Sequence, residues 1–330
     1  MKVLYIGGTG EVSPGCIAAG LELGQEITVF NRGTSGSPLP AGVHHIAGDI
    51  NDDAKFFSLG KQHWDAVCQF RTFDLRQHER DVQAFAGNTA QFVFISTAMV
   101  YQRPPSPFRV NESFPRSNPH SPHYAQNKMA IEDRLFELHH ANKLPTTIVR
   151  PSHTISAHFP GTFISGDHIA WRMLHNKPVI SHGDGSSLWS ITRSEDFGRA
   201  FAKLLGNPKA LGQAFHITTD ELRTWDEIFN YVAAALGTKA TLAHVPTDTL
   251  VRYDPNWSQS LLGDKSCSIA FDNTKIKNAV GGWTARHTIQ EAIQLSAAHV
   301  HKRMATFKPD PNLEALLDRI IQEQGALGHQ

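Results

Sequence analysis

Tyr124 and Lys128 stand four residues apart in the stretch YAQNK, so on a helix their side chains share one face. A phenol titrates at about 10 and is a poor base at neutral pH. An ammonium on the same face favours the phenolate and brings the group towards a range in which it exchanges a proton with a substrate hydroxyl. Thr97 ends the run FVFIST, which reads as a strand from Phe92 to Thr97. Ligands of open parallel sheets bind at the carboxyl ends of strands, and a threonine hydroxyl there hydrogen-bonds a substrate oxygen. Together the three residues have the makings of a hydride-transfer site.

A place for the hydride carrier is written at the start of the chain, MKVLYIGGTGEVS. Lys2 to Ile6 is apolar, branched and aromatic, and Gly7 and Gly8 end it at once, so it reads as a buried strand entering a tight turn. Pro14 suits the first turn of a helix, and Cys16, Ile17, Ala18, Ala19, Leu21 and Leu23 give that helix an apolar face. A glycine turn between strand and helix offers free amides and favourable dipole charge to a pyrophosphate. At the end of the second strand, where a dinucleotide fold carries an acid for the ribose hydroxyls, stand Asn31, Arg32 and Gly33. A neutral amide and a guanidinium accept a 2'-phosphate that a carboxylate would repel, so the expected cofactor is NADP or NAD, with NADP favoured by Asn31 and Arg32. Asp49 and Ile50, at the end of the third strand, are placed to flank the adenine.

Those residues need a scaffold, and the pattern supplies one. Strands are expected at Glu26 to Asn31, Val43 to Gly48, Ala66 to Phe70, Phe92 to Thr97 and Thr146 to Arg150, with helices or loops between them. That alternation predicts an α/β fold with a doubly wound parallel sheet of Rossmann type. Gln102 to Pro122, with six prolines, is a long surface loop, and His123 to Asn142 is the helix that carries Tyr124 and Lys128. The pattern changes after Arg150. A helix from Ser190 to Leu205 and a strand from Ala214 to Thr218 return to the first sheet. The expected division is a dinucleotide-binding domain over 1–157 and 190–219, and a second, smaller α/β substrate domain over 158–189 and 220–330. The tail residues Leu313, Leu316, Leu317, Ile320 and Ile321 have helical spacing and make a docking face.

Composition narrows the partners. Lys plus Arg equals Asp plus Glu at 31 each over 330 residues, so no global field favours nucleic acid or an acidic membrane. The strand begins at once, without a signal segment, and no apolar run is long enough to span a bilayer, so a soluble cytoplasmic protein is expected. Cys16, Cys68 and Cys267 are few and scattered, which suits a reducing compartment. The 19 histidines are not grouped with cysteines or carboxylates at ligand spacing, so no metal is expected.

The chain resembles the extended short-chain dehydrogenases, the NAD(P)-dependent epimerase/dehydratase family. The similarity rests on Gly7-Gly8-Thr9-Gly10, Asp49-Ile50, Ser96 to Tyr101, Tyr124 to Lys128 and Arg150-Pro151, and continues through Gly183 to Gly185, Glu195-Asp196 and Gly281 to Trp283. It implies Thr97, Tyr124 and Lys128 as the catalytic trio, with Lys128 also holding the nicotinamide ribose. It implies a cofactor lying across Gly7, Thr9, Gly10, Glu11, Val12, Asn31, Arg32, Asp49, Ile50, Phe70, Pro151 and His153. It also implies a homodimer through the helices Arg80 to Ala86 and Ile131 to His139, and a substrate cleft between two domains.

Departures from the family pattern bear on the substrate. Ser13 replaces the third glycine of the turn. Gln69, Phe70, Arg71 and Thr72 stand where the family has His and small residues, so Arg71 brings bulk and charge to the substrate. His153 replaces a common Asn. Trp189 falls where nucleotide-sugar epimerases carry a diphosphate-binding Arg, and Arg193, Arg172 or Arg252 would have to compensate. The expected activity is therefore NAD(P)-dependent oxidoreduction or epimerisation at a hydroxyl or ketone of a sugar-like substrate that need not be nucleotide-linked. The substrate contacts are Arg71, Thr97, His153, Trp189 and Arg193, with Trp189 facing the cleft. The alternatives are an NADPH-dependent carbonyl reductase and a non-catalytic dinucleotide-sensing or RNA-binding relative.

Overall fold

Side chains of Lys2–Ile6 alternate between two cores, which is what a strand covered on both faces requires. In the computed structural model, which describes residues 1–34 and 38–327, Val3 and Tyr5 pack with Cys16, Ile17, Phe197 and Phe201 on one face. Leu4 and Ile6 pack with Phe85, Phe94, Ile131 and Leu135 on the other. The seven strands of this sheet, in spatial order, are Gln213–Ile217, Thr146–Pro151, Phe92–Ile95, Ala66–Gln69, Lys2–Ile6, Glu26–Asn31 and His44–Ala47. Every neighbouring pair is parallel. Lys2–Ile6 pairs with Glu26–Asn31 on one side and Ala66–Gln69 on the other, so the chain order reverses at its carboxyl end. A crevice opens at such a switch point.

The expected strands are present within two residues at each end, and Gln213–Ile217 returns to the sheet edge. The helix expected from Ser190 starts at Ser194 instead. Ile191–Arg193 is extended and pairs with His153–Ile155, and pairing of these distant segments prevails over helix propensity. The Tyr124–His140 helix fills the other expected position. The long loop before it pairs through Arg109–Val110 with Ala270–Phe271, and Asn118 ties it to the Met99 and Gly263 carbonyls.

A separate apolar cluster gathers Ile155, Ile169, Trp189, Trp225, Ile228, Leu261, Ile293 and the tail residues Leu317 and Ile320. The Pro311–Leu327 helix is fixed there by Glu314, which accepts from Arg172 at 2.9 Å and Lys177 at 2.9 Å. Among the described residues no helix is long and apolar enough to cross a membrane, and no group of three or more His, Cys, Asp or Glu is placed to hold a metal ion.

Candidate active site

The glycine turn takes its shape from backbone that other residues adopt only with strain: Gly7 and Gly8 have φ of 114° and 90°. The following helix, Ser13–Glu22, opens on Val12 without a side-chain cap and with Pro14 in its first turn. Pro14 has no N–H and the Gly15 amide is spent on Ser194 Oγ, so the amides left to an anion are those of Val12 and Ser13. Around Gly10 the turn is open: a Cβ there would meet nothing within 4 Å. Ser13 closes one donor internally, since its Oγ accepts from the Gly10 amide at 3.2 Å. The close helix packing that a third glycine would provide comes from Gly15, whose amide bonds Ser194 Oγ at 3.0 Å.

The turn lines a cleft of about 720 Å³ that runs along the carboxyl ends of the strands. Gly7, Thr9, Gly10, Glu11, Val12, Asn31, Arg32, Asp49, Ile50, Phe70, Arg71, Thr97, Tyr124, Lys128 and Pro151 all line it. At its floor Lys128 is 2% exposed. Its ammonium donates to the carbonyls of Thr72 and Ile95, each at 2.8 Å, and lies 4.5 Å and 4.9 Å from the ring centres of Phe94 and Phe73. An ammonium has three N–H groups, so one remains for the cleft. Burial lowers the Lys128 pKa to about 7, against the opposing pull of Glu132 and Asp81.

Tyr124 departs from the sequence-based expectation. Burial pushes its phenol up, hydrogen bonding with Thr97 pulls it down, and the charge of Asp264 pushes it up again. Lys128, 6.0 Å from the Tyr124 ring centre, spends two N–H groups on carbonyls and does not produce a lowered phenol. The phenol is protonated at neutral pH and so has a proton to give. Thr97 begins the turn Ala98–Val100, where its Oγ1 accepts from the Met99 amide at 3.2 Å, and it also meets Tyr124.

Several expected site residues are engaged elsewhere. Trp189 is 1% exposed and packs on Trp225 at 6.1 Å, with its indole N–H donated to the Lys265 carbonyl at 3.1 Å, so it is core and does not face the cleft. Arg193 donates to Ser296 Oγ at 3.0 Å and pairs with Glu195 at 2.6 Å, which draws it away from the cleft. His153 sits edge-on to Trp225 at 6.1 Å, and burial with the charge of Lys265 lowers its pKa to about 3, so it is neutral. It is not among the cleft-lining residues.

Others line the cleft but spend their polar atoms on its walls. Asn31 donates to the Gly7 carbonyl at 2.9 Å and accepts from the Gly33 amide at 2.8 Å. Asp49 Oδ1 accepts from the Asn51 amide at 2.9 Å. Glu11 accepts from the Ser156 amide at 2.7 Å and bonds His158 at 2.6 Å. Burial opposes its ionisation, yet the bonds from His158 and Ser156 hold its pKa below the usual carboxylate value. Arg32 is exposed at the cleft mouth, and Arg71 lies 5.4 Å from the Phe73 ring centre.

Phe73, Ser96 and Ser152 also line the cleft and were not anticipated. Ser96 Oγ and Ser152 Oγ are buried atoms without a hydrogen-bond partner in the protein. Both residues sit beside expected ones, Thr97 and Pro151, so the signal was adjacency at a strand end. Orphaned hydroxyls, an open glycine turn and an uncapped helix start form a donor set that fits the amide, ribose and pyrophosphate of a nicotinamide dinucleotide.

Comparison with known proteins adds four findings. A model of the NAD dependent epimerase/dehydratase family matches residues 3–218. The 2'-dehydrokanamycin reductase of Streptomyces kanamyceticus is 24% identical over 251 residues, covering 75% of this chain and 70% of that protein. UDP-glucose 4-epimerase from Bifidobacterium longum, solved in complex with NAD+ and UDP, superposes with a TM-score of 0.74 at 18% identity, covering 93% of this chain and 100% of that one. The epimerase Mth375 of Methanothermobacter thermautotrophicus does so with a TM-score of 0.74 at 16% identity, covering 92% and 93%. At these identities the two structures show that the fold is shared.

Proposed function

The chain belongs to the NAD dependent epimerase/dehydratase family, and from that premise we propose that this NAD(P)-dependent enzyme reduces a ketone of a sugar-like substrate to an alcohol, with Tyr124 as the proton donor. The observation that carries the proton-donor role is the Tyr124 phenol, which burial keeps protonated beside Thr97 in the cleft. The reductase character of the curated relative supports the direction of reduction.

NAD(P)H, when bound, supplies a hydride to the carbonyl carbon. Thr97 hydrogen-bonds the carbonyl oxygen and orients it. Tyr124 gives its proton to that oxygen as negative charge develops there, and solvent later restores it. Lys128 aims its remaining N–H at the ribose, and its charge lies near enough to steady the phenolate that Tyr124 leaves behind. Thr9 and Val12 hold the pyrophosphate by backbone amides, Gly7 and Gly10 leave it room to approach, and Ser96 and Ser152 meet the nicotinamide end. Ile50 and Phe70 supply apolar surface, Phe70 being stacked on Tyr5 at 5.9 Å. Arg32 selects NADP: its guanidinium is exposed at the cleft mouth, and Asn31 is committed to the turn.

A substrate without a nucleotide is supported by the arginines. Arg193 is bonded to Ser296 and Glu195 and Arg172 to Glu314 and Asp318, so both are engaged elsewhere, and Arg252 is not among the cleft-lining residues. The division into a dinucleotide domain, 1–157 and 190–219, and a substrate domain, 158–189 and 220–330, follows the apolar clusters in part: Ile276, Val280 and Trp283 pack in the dinucleotide core, and Tyr101, Val110, Ile155 and Ile191 pack in the other. A homodimer through the Leu75–Phe85 and Tyr124–His140 helices would be held by charge, since their outward faces carry Arg76, Glu79, Asp133, Arg134 and Glu137.

The test is consumption of NADPH and NADH with keto-sugars, keto-glycosides and nucleotide-linked keto-sugars. Turnover with a free or glycosidic ketone supports the reading. Micromolar binding of UDP or dTDP in the cleft, with turnover of only the nucleotide-linked forms, would overturn the substrate assignment.

A further inference from the structure

Asp81 lies on the inner face of the Leu75–Phe85 helix and is 1% exposed. Its carboxylate is bonded by two neutral donors, Gln69 Nε2 to Oδ1 and Thr72 Oγ1 to Oδ2, each at 2.6 Å. Both belong to the segment that leaves the Ala66–Gln69 strand and forms the floor of the cleft. Gln69 Oε1 in turn accepts from the Arg71 amide at 2.8 Å. The Thr72 carbonyl accepts from the Lys128 ammonium at 2.8 Å. One residue, Thr72, therefore bonds the buried acid with its side chain and the buried base with its backbone.

Glu132 first and Asp81 second favour the charge on Lys128, and Asp81 is the one linked to it through Thr72. Glu132, one turn further along the same helix, is held by Arg150 at 2.6 Å and Arg116 at 2.9 Å, so two guanidiniums offset its charge. Asp74 caps the Leu75–Phe85 helix by accepting from the Gln77 amide at 2.8 Å. Arg80, next to Asp81, turns outward to Asp53 and the Ile50 carbonyl. His78 on that helix is neutral, its pKa lowered to about 4 by burial, and Tyr124 carries its proton. Arg71, on the connecting segment, is exposed.

We propose that Asp81 is a positioning residue of this site: its carboxylate, acting through Thr72, keeps Lys128 charged and fixes the direction in which the ammonium enters the cleft. Burial raises the Asp81 pKa to about 7, with the Thr72 and Gln69 bonds and the charges of Arg80 and Lys128 opposing, so the acid and the base titrate over the same range. Loss of the anion leaves Lys128 on neutral carbonyls and aromatic faces alone, and its proton is then held less tightly. The inference rests on the reading above only for what Lys128 does to the cofactor; its charge is measured without one.

Lysine side-chain NMR titration of the cofactor-free protein tests it, with Lys128→Met identifying the resonance. In Asp81→Asn the Lys128 titration moves to lower pH by about one unit or more. Thr72→Val, which keeps the aspartate but removes the hydroxyl bond, moves it the same way by less, and it decides the question if Asp81→Asn fails to fold. At neutral pH both variants bind NAD(P)H several-fold more weakly by fluorescence, and affinity recovers at lower pH as the ammonium returns. A folded variant whose Lys128 titrates at the wild-type pH overturns the inference. A shifted titration with unchanged cofactor affinity supports the role of Asp81 and counts against Lys128 at the cofactor.

Discussion

Gly198 lies so close to Gly15 that a Cβ built on it would sit 2.0 Å from the Gly15 carbonyl oxygen; the reciprocal Cβ on Gly15 would sit 2.0 Å from that of Ser194. This crossing presses the helix of the glycine turn against the Ser194–Leu204 helix and sets where the turn meets the cleft. Gly15→Ala is therefore expected to destabilise the protein by about 1–3 kcal/mol or more, the cost of overpacking against backbone. Cofactor affinity should fall as well, since the turn moves with its helix. Denaturant unfolding and cofactor titration check both; wild-type stability would show that the helices separate without cost.

Tyr124→Phe removes the hydroxyl proton and leaves the ring. Turnover should fall by roughly 100- to 10,000-fold, the usual share of general acid catalysis, while NAD(P)H affinity changes little. Steady-state kinetics beside a fluorescence titration of the cofactor separate the two effects. Undiminished turnover by the folded variant would remove Tyr124 from the chemistry.

Arg32→Ala should weaken NADPH by about ten- to a hundredfold, the scale of a hydrogen bond between charged partners, and leave NADH nearly unchanged. The salt dependence of NADPH binding should drop with it, because the guanidinium is exposed. Equal affinity of the wild type for the two cofactors would end the assignment to NADP.

His78 is fully buried, and both ring nitrogens lack a partner in the protein. Burial lowers its pKa from 6.5 to about 4, so between those values the unfolded chain binds a proton that the folded one refuses. The stability linked to His78 is present above 6.5 and is lost as pH falls towards 4. His78→Leu should flatten the acid slope of unfolding by up to about 1.4 kcal/mol per pH unit and raise stability by about 1 kcal/mol or more, as unpaired polar atoms are removed. Urea unfolding at pH steps across that window reads the slope, and an unchanged slope would show that His78 titrates normally.

The helix spacing of Tyr124 and Lys128, the glycine turn after Lys2–Ile6 and the strands of the sheet were legible because each depends on neighbours within a few residues. Parallel strands then bring their carboxyl ends to one edge, and most of the expected cofactor residues line one cleft as a result. Tertiary structure decided what depends on partners far along the chain. Trp189 entered the core because Trp225 and Lys265 met it there, and Arg193 was taken by Ser296. Gly15 replaced Ser13 as the close-packing residue because Gly198 faced it. The protonation of Tyr124, and the link from Asp81 through Thr72 to Lys128, follow from burial and from three segments meeting under the cleft. Side-chain type and spacing state which chemistry is available; the dielectric around each group and the neighbours that claim its hydrogen bonds, set only when distant segments pack, decide which groups are left to perform it.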